Sequence, residues 1–447
     1  MKKKFWLLLS MVVLTLAGFA QGYKLTIKFS HYKPQKVRLA YYYEDKQYLA
    51  VDTASQSGST VVFQGAEPLP GGIYSIILND VPTYFDVLID KDNQNFTMKC
   101  DVNDPQKTMK ISGSEVNAKF FDYQRRMTEL NIEQHRLDTL KKYEKDSSKI
   151  KEYDSKLSEI DDEYQKALKE TVETNKGNIL SDMLDCLNAP NNPGNSQLDH
   201  VNFSNPALLR TPFFYKVIRA HIARHIEEGQ YEIMRQNDLI ISKAKANTDI
   251  YHYVTGYLLT FYRTFFKLGI NEVFVRLADK YFLADTVKGL SEENRQMIKE
   301  QRDVYNASIP GSEAVNIKVC NTLTGDSLNV LDNIKDKLLL LFWANGCGHC
   351  DSAENAIKYY YNGLKKNNIT VISVTNDKHS YESLKYNSQQ KNFPWIDCCD
   401  TKNNSRYREY YYIVSTPVLY IIDRQKIIIN KVVGEDRITD IVQKLSE

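Results

Sequence analysis

The sequence lacks an apolar run long enough to span a bilayer comfortably. Its most apolar stretch near the start, Phe5 to Leu16, is short. It follows the basic Lys2, Lys3 and Lys4 and precedes the small residues Gly18 and Ala20. That order predicts a secretory signal over 1–20, cleaved near Ala20, and therefore an exported chain. The next residue is Gln21 rather than cysteine, which argues against a lipid-anchored N-terminus. An excess of one charge is also lacking. The 58 basic and 56 acidic residues leave +2, which speaks against a nucleic-acid partner and gives no case for a charged membrane surface. Cysteine is scarce: seven in 447 residues, an odd number, too scattered for a stapling framework in a chain long enough to build a core. In an oxidising compartment this predicts one catalytic pair plus buried single thiols, and Cys100, Cys186 and Cys320 are read as such buried residues.

Patterning divides the rest into three. Residues 21–113 read as a β-rich domain. Period-two alternation marks Tyr23 to Phe29 and Lys36 to Leu39, with further strands at 60–64, 74–78 and 85–89, and turn signals such as Pro70-Gly71-Gly72 between them. Many short strands predict a small antiparallel sandwich. Residues 114–307 read as an α-helical domain. Val116, Phe120, Tyr123, Met127 and Leu130 keep a four-three spacing, as do Ile150, Tyr153, Leu157, Ile160 and Tyr164. The polar stretch 144–148 between them fits either a helical hairpin or one long helix with a phase slip. Four or so shorter helices follow, and Ser308 to Ser312 is a breaker cluster suited to a linker. Residues 313–447 alternate β and α: strands at 338–343, 370–374, 418–422 and 427–433, helices at 352–366, 381–391, 405–411 and 437–445.

The chemistry concentrates in Cys347-Gly348-His349-Cys350. An apolar run, Leu338 to Trp343, leads in, and a helix-compatible segment leads out. Strand, Cys-x-x-Cys, helix is the layout of a redox-active dithiol. It places the first thiol at a helix N-terminus, where partial positive charge favours the reactive thiolate. The other use of such a pair, half a zinc site, needs a second pair or two histidines at suitable spacing. Cys398-Cys399 are adjacent and poor joint ligands, and His379 stands alone, so no metal is expected.

Phe342-Trp343-Ala344, the Cys347–Cys350 motif and Thr416-Pro417-Val418-Leu419-Tyr420-Ile421-Ile422-Asp423 together resemble a thioredoxin-fold oxidoreductase. The opening 315–328 resembles the β-hairpin of extracytoplasmic TlpA/ResA-like proteins, and the three-part layout resembles exported multi-domain proteins of the Bacteroidota. The resemblance implies a periplasmic thiol–disulfide oxidoreductase with no cofactor beyond the Cys347–Cys350 disulfide. Its implied partners are disulfide-containing envelope proteins and a membrane thiol electron donor. It implies that Cys347 attacks, Cys350 resolves, Pro417 is cis beside the dithiol, and Thr416 offers backbone to a substrate strand. Trp343, Gly346 and Gly348 are the matching substrate-side positions. His349 would steady the Cys347 thiolate; its plainer reading is a solvated loop residue. Two positions depart from the pattern. Gly346 stands where the family usually has tryptophan. Three residues past the second cysteine, where many relatives carry a buried proton-relaying glutamate, stands Ala353. Glu354 follows it, and a 100° step points it elsewhere unless the helix register shifts.

Other positions carry less. Cys398-Cys399 fit a second thiol relay or, more plainly, one buried and one exposed thiol. His221 and His225 at i, i+4 suit a metal, but Ile222 breaks the metalloprotease pattern and helix-surface histidines are expected. A thiol peroxidase needs Thr or Ser where Ala344 stands. The alternative from another class is an envelope binding or assembly protein that uses the C-terminal domain as a docking module.

Overall fold

Strand β1 (Tyr23–Ser30) turns Leu25, Ile27 and Phe29 inward and its lysines outward, the alternation its sequence predicts. It lies in a five-stranded sheet of order β4-β5-β1-β8-β9, with β4 (Ser55–Ser57), β5 (Thr60–Gly65), β8 (Asn95–Asp101) and β9 (Lys110–Ser112). A four-stranded sheet of order β3-β2-β6-β7 holds β2 (Val37–Tyr43), β3 (Lys46–Val51), β6 (Gly72–Leu78) and β7 (Tyr84–Ile89). One pairing departs from the antiparallel expectation: β1 and β8 run parallel, with Lys24 opposite Asn95. A one-turn helix, α1 (Pro105–Thr108), connects β8 to β9. This computed structural model describes residues 22–91, 94–188, 197–226, 228–264, 271–284, 289–375, 379–402 and 404–447. The predicted signal over 1–20 lies outside them.

The helices begin with α2 (Glu115–Tyr143), capped by Ser114, and α3 (Ser147–Thr174), capped by Asp146. Of the two arrangements open for this stretch, the structure has the hairpin. Asp146 accepts from Ser148 N–H and so starts a new helix where the polar run interrupts the apolar spacing. Arg126 of α2 ties the arms together through Glu163 and Glu170 of α3. Then come α4 (Ile179–Asp185), α5 (Pro212–His225), α6 (Gln230–Ala244), α7 (Thr248–Thr264), α8 (Asn271–Leu277) and α9 (Glu292–Asn306).

The helical run does not stand as a unit by itself. One compact unit holds the described residues up to Arg224 with Lys243–Ile250; the other holds His225–Ser242 and Tyr251–Glu447. Buried polar and aromatic contacts lie within each unit. In the first unit, Asn117 of α2 is fully buried; it accepts from Leu88 N–H at 2.7 Å and donates to Leu88 carbonyl at 2.8 Å and Ser114 Oγ at 2.9 Å. It completes the hydrogen bonding of the outer strand β7. Asn117→Ala would strand two buried backbone groups, and we expect it to lower unfolding stability by about 3 kcal/mol, read by chemical denaturation; a change under about 1 kcal/mol would show that water or a shifted α2 replaces it. In the second unit, Asn271 donates to Tyr305 carbonyl and Ser308 Oγ, and the rings of Tyr305 and Tyr412 lie 4.5 Å apart. The predicted linker is packed rather than free: Ser308 is buried, Gly311 N–H donates to Ile428 carbonyl, and Ile428 N–H donates to Ser312 carbonyl.

The C-terminal sheet has seven strands in the order β11-β10-β14-β13-β12-β15-β16. They are β10 (Lys318–Asn321), β11 (Ser327–Asn329), β12 (Lys337–Trp343), β13 (Ile369–Thr375), β14 (Ile396–Cys399), β15 (Val418–Asp423) and β16 (Ile428–Val433). Helices α10 (Gly348–Lys366), α11 (Tyr381–Lys391), α12 (Tyr407–Tyr410) and α13 (Glu435–Ser446) complete the domain. Central β12 is parallel to β13 and antiparallel to β15. It is apolar and buried from Leu338 to Trp343 because both its faces are covered. Leu339, Leu341 and Trp343 pack with Ala353 and Ile357 of α10 and Ile438 of α13, while Leu338, Leu340 and Phe342 pack with Tyr407, Tyr411 and Tyr420 on the other side.

Candidate active site

The strand β12 ends at Trp343, and Cys347 four residues on is the N-cap of α10. Its Sγ accepts from the backbone N–H of Cys350 at 3.2 Å, the place where a helix presents unpaired donors and partial positive charge. Cys347 is half-buried and Cys350 fully buried, and the two are joined as a disulfide. Across from them the Thr416–Pro417 peptide is cis. Cys347 Sγ lies 3.8 Å from the Thr416 carbonyl oxygen and 4.0 Å from its hydroxyl. The predicted Cys347, Cys350, Thr416 and Pro417 therefore meet, brought from chain segments 69 residues apart.

Gly346 and Gly348 are exposed. Gly346 has φ +71° and a Cβ added there would meet nothing within 4 Å, so the tryptophan usual in the resembled family is replaced by a left-handed turn with open space above it. His349 is 77% exposed, and its Nδ1 is hydrogen-bonded to Glu435 at the start of α13. The motif imidazole thus has a carboxylate neighbour that sequence reasoning missed, on an element 86 residues away.

Trp343 departs from expectation. It is buried, its Nε1 donates to Asp397 Oδ1 at 3.0 Å, and its ring packs edge-on to Phe393. It supports the dithiol from beneath and offers no surface to a substrate. Asp397 also accepts from Ser373 Oγ at 2.6 Å, and burial raises its pKa.

Glu354 is 1% exposed, so the expectation that it points away is corrected. It follows Cys350 by four residues, which puts both on one face of α10, and Ala353 and Glu354 are both buried. Lys391 of α11 reaches Glu354 Oε2 at 2.6 Å, pairs also with Asp351, and holds its ammonium 5.2 Å from the Trp343 ring centroid. Burial pushes the Glu354 carboxyl up to about 7, against the opposing pull of Lys391. A carboxyl so poised can hold or release a proton near neutral pH. Lys391 had no signal in the sequence beyond its place at the end of a helix.

The weaker positions fall elsewhere. Cys398 and Cys399 are both buried, because β14 is an interior strand, so neither is the exposed thiol expected of the pair. Cys320 is half-buried rather than buried. His221 is buried and not a helix-surface residue. His225, Glu228 and Glu232 place ligand atoms within 4.8 Å of one another, but Glu232 is engaged by Arg235 and Gln236.

Comparison with known proteins bears on both ends of the chain. A family model described as thioredoxin-like matches residues 335–428, spanning β12, the Cys347–Cys350 motif and the cis proline. The C-terminal domain is thioredoxin-like. A second model, a domain of unknown function (DUF4369), matches residues 23–120. Among solved structures, a thioredoxin-like protein from Bacteroides caccae is 16% identical, covering 55% of this chain and 89% of its own, at a TM-score of 0.42. The thioredoxin domain of a thiol-disulfide oxidoreductase from Bacteroides vulgatus is 24% identical over 31% of this chain and 98% of its own, at 0.28. A thiol:disulfide interchange protein from Bacteroides sp. is 24% identical over 32% and 93%, at 0.28. No curated protein matches the chain. No helix among the described residues is long and apolar enough to cross a membrane.

Proposed function

We propose that the protein is an exported, periplasmic thiol–disulfide oxidoreductase of TlpA/ResA-like type that reduces disulfides of envelope proteins and is itself re-reduced by a membrane thiol donor. The observation that carries this is Cys347 capping α10 against Thr416–Pro417. In the reduced protein the Cys347 thiolate attacks a substrate disulfide R–S–S–R′. A Cys347–S–S–R bond forms and R′S⁻ leaves. Cys350 then gives its proton to a base, attacks Cys347 Sγ and expels RS⁻, which leaves the Cys347–Cys350 disulfide. Glu354, one turn beyond Cys350 on the same buried face, is the group suited to take that proton. Thr416, beside Cys347 Sγ, offers its backbone to the substrate segment, with exposed Gly346 and Gly348 leaving the approach open. No metal and no nucleic-acid partner enters this scheme.

The Glu435 carboxylate beside His349 offsets the cationic help that a histidine in the motif gives to a thiolate. Less thiolate stabilisation means a more reducing couple. We expect the mature protein, equilibrated in dithiothreitol or glutathione buffers, to show a Cys347–Cys350 potential near about −270 mV rather than about −180 mV. A value at the upper figure or above would make the protein an oxidant or isomerase and sink the reductase reading.

A further inference from the structure

Cys320 and Cys399 are direct cross-strand partners where β10 runs antiparallel to β14. Thr322 N–H donates to the Asp397 carbonyl at 2.9 Å. Bonded and non-bonded pairs alternate along such a ladder, so two residues on, Cys320 and Cys399 form another bonded pair, with Cα atoms about 5.5 Å apart. A disulfide spans about 4.4–6.8 Å between Cα atoms. Residues directly opposite share a face with Cβ atoms about 4.5–5.5 Å apart, bonded pairs at the wider end, against about 3.8 Å across a disulfide, so closure asks for a movement of about 1.7 Å. Cys398 is turned the other way, into the core beside Val374 and Phe342. Both partners are free thiols, Cys320 half-buried and Cys399 buried. Tyr381 at the start of α11 lies close to both: its phenol is raised by burial first and then by the two sulfurs.

We propose that Cys320 and Cys399 form a second redox site, a dithiol that closes to a cross-strand disulfide and clasps the β10–β11 hairpin to the thioredoxin-like sheet. The proposal draws its oxidising setting from the export reading above. The oxidant is an external disulfide, R–S–S–R. The more accessible Cys320 loses its proton and attacks one sulfur, so that Cys320–S–S–R forms and RS⁻ leaves. Cys399 then loses its proton and attacks Cys320 Sγ, the second RS⁻ leaves, and two protons and two electrons have passed to give two RSH. Burial pushes the Cys399 thiol up to about 12, which leaves little thiolate for the second displacement. This couple therefore closes slowly and holds, whereas Cys347–Cys350 turns over. The clasped strand β14 also carries Asp397, the partner of the Trp343 indole beneath the dithiol, so closure braces that support.

The test uses the full chain with Cys347→Ser and Cys350→Ser, reduced, then exposed to oxidised glutathione, quenched by alkylation and mapped by peptide mass spectrometry. The expected result is loss of two alkylatable thiols and a cross-link between the Cys320 peptide and that holding Cys398 and Cys399. It should form at least tenfold more slowly than the Cys347–Cys350 bond of the unmodified protein. The link should survive a further Cys398→Ser and vanish in Cys399→Ser, with circular dichroism showing both variants folded. No link, glutathione left on Cys320 alone, or a link that persists in Cys399→Ser would each overturn the proposal. Because the active-site pair is absent from this background, failure of disulfide reduction by the unmodified protein would overturn the proposed function and leave the clasp standing.

Discussion

Cys347→Ser is expected to reduce the rate of insulin disulfide reduction, with dithiothreitol as donor, by about three orders of magnitude or more, the scale for removing a nucleophile from a coupled pair. Cys347 is the half-buried sulfur, while Cys350 is sealed on the buried face of α10. A serine hydroxyl at the helix cap keeps the hydrogen bond from Cys350 N–H but has no accessible anionic form. Cys350→Ser should behave differently. It leaves the first displacement intact and removes the resolving thiol, so a disulfide-bearing substrate becomes covalently held on Cys347 and is released by dithiothreitol. Non-reducing gels separate the two variants. Full insulin reduction by Cys347→Ser, or no trapped adduct with Cys350→Ser, would reject the assignment of roles.

Glu354→Gln carries the second large effect. The Glu354 carboxyl is pushed by burial to about 7, from about 4.3 in an unfolded chain. Between those values the folded protein holds more protons than the unfolded one, so stability falls as pH rises through that window. The full swing is about 4 kcal/mol, counting ~1.4 kcal/mol for each unit of difference. Stability measured by denaturation from pH 4 to 8 should show this decline in the unmodified protein and lose it in the glutamine variant. The second readout separates catalysis from stability. Glutamine cannot accept the Cys350 proton, so the mixed disulfide on Cys347 should resolve ~10²-fold more slowly near pH 7, the scale of general-base help. If both pH profiles superimpose, Glu354 is only a buried partner of Lys391.

Much of this site was legible in the sequence, because strand, dithiol and helix are local and contiguous. The run at 338–343 and the helix at 381–391 lie within a residue of β12 and α11, and of the two arrangements the polar break at 144–148 leaves open, the structure has the hairpin. What escaped was set by partners distant in sequence. Set against Ala353 alone, Glu354 points away, whereas the buried face of α10 is wide enough to take both. Lys391 and Glu435 reach the site from α11 and α13, and nothing local in their surroundings marks them. One thiol of Cys398-Cys399 reads as exposed when the pair is set at a strand end, but β14 lies between β10 and β13 and buries both. The breaker cluster at 308–312 signalled a turn correctly, but turn chemistry says nothing about whether the turn lies against a strand, as it does beside Ile428.

The left-handed Gly346 leaves its own mark. A side chain there would strain the backbone by about 1–2 kcal/mol, so a bulky lid cannot simply be regained by substitution at that site. Position 346, next to Cys347, faces open space instead of carrying an indole. If Cys347 is the nucleophile proposed above, the lack of a lid leaves it to take whatever fits against Thr416 and Pro417, with little selection by the dithiol itself. Choice among clients then passes from the grip of the active site to encounter, to whatever brings a client's disulfide within reach.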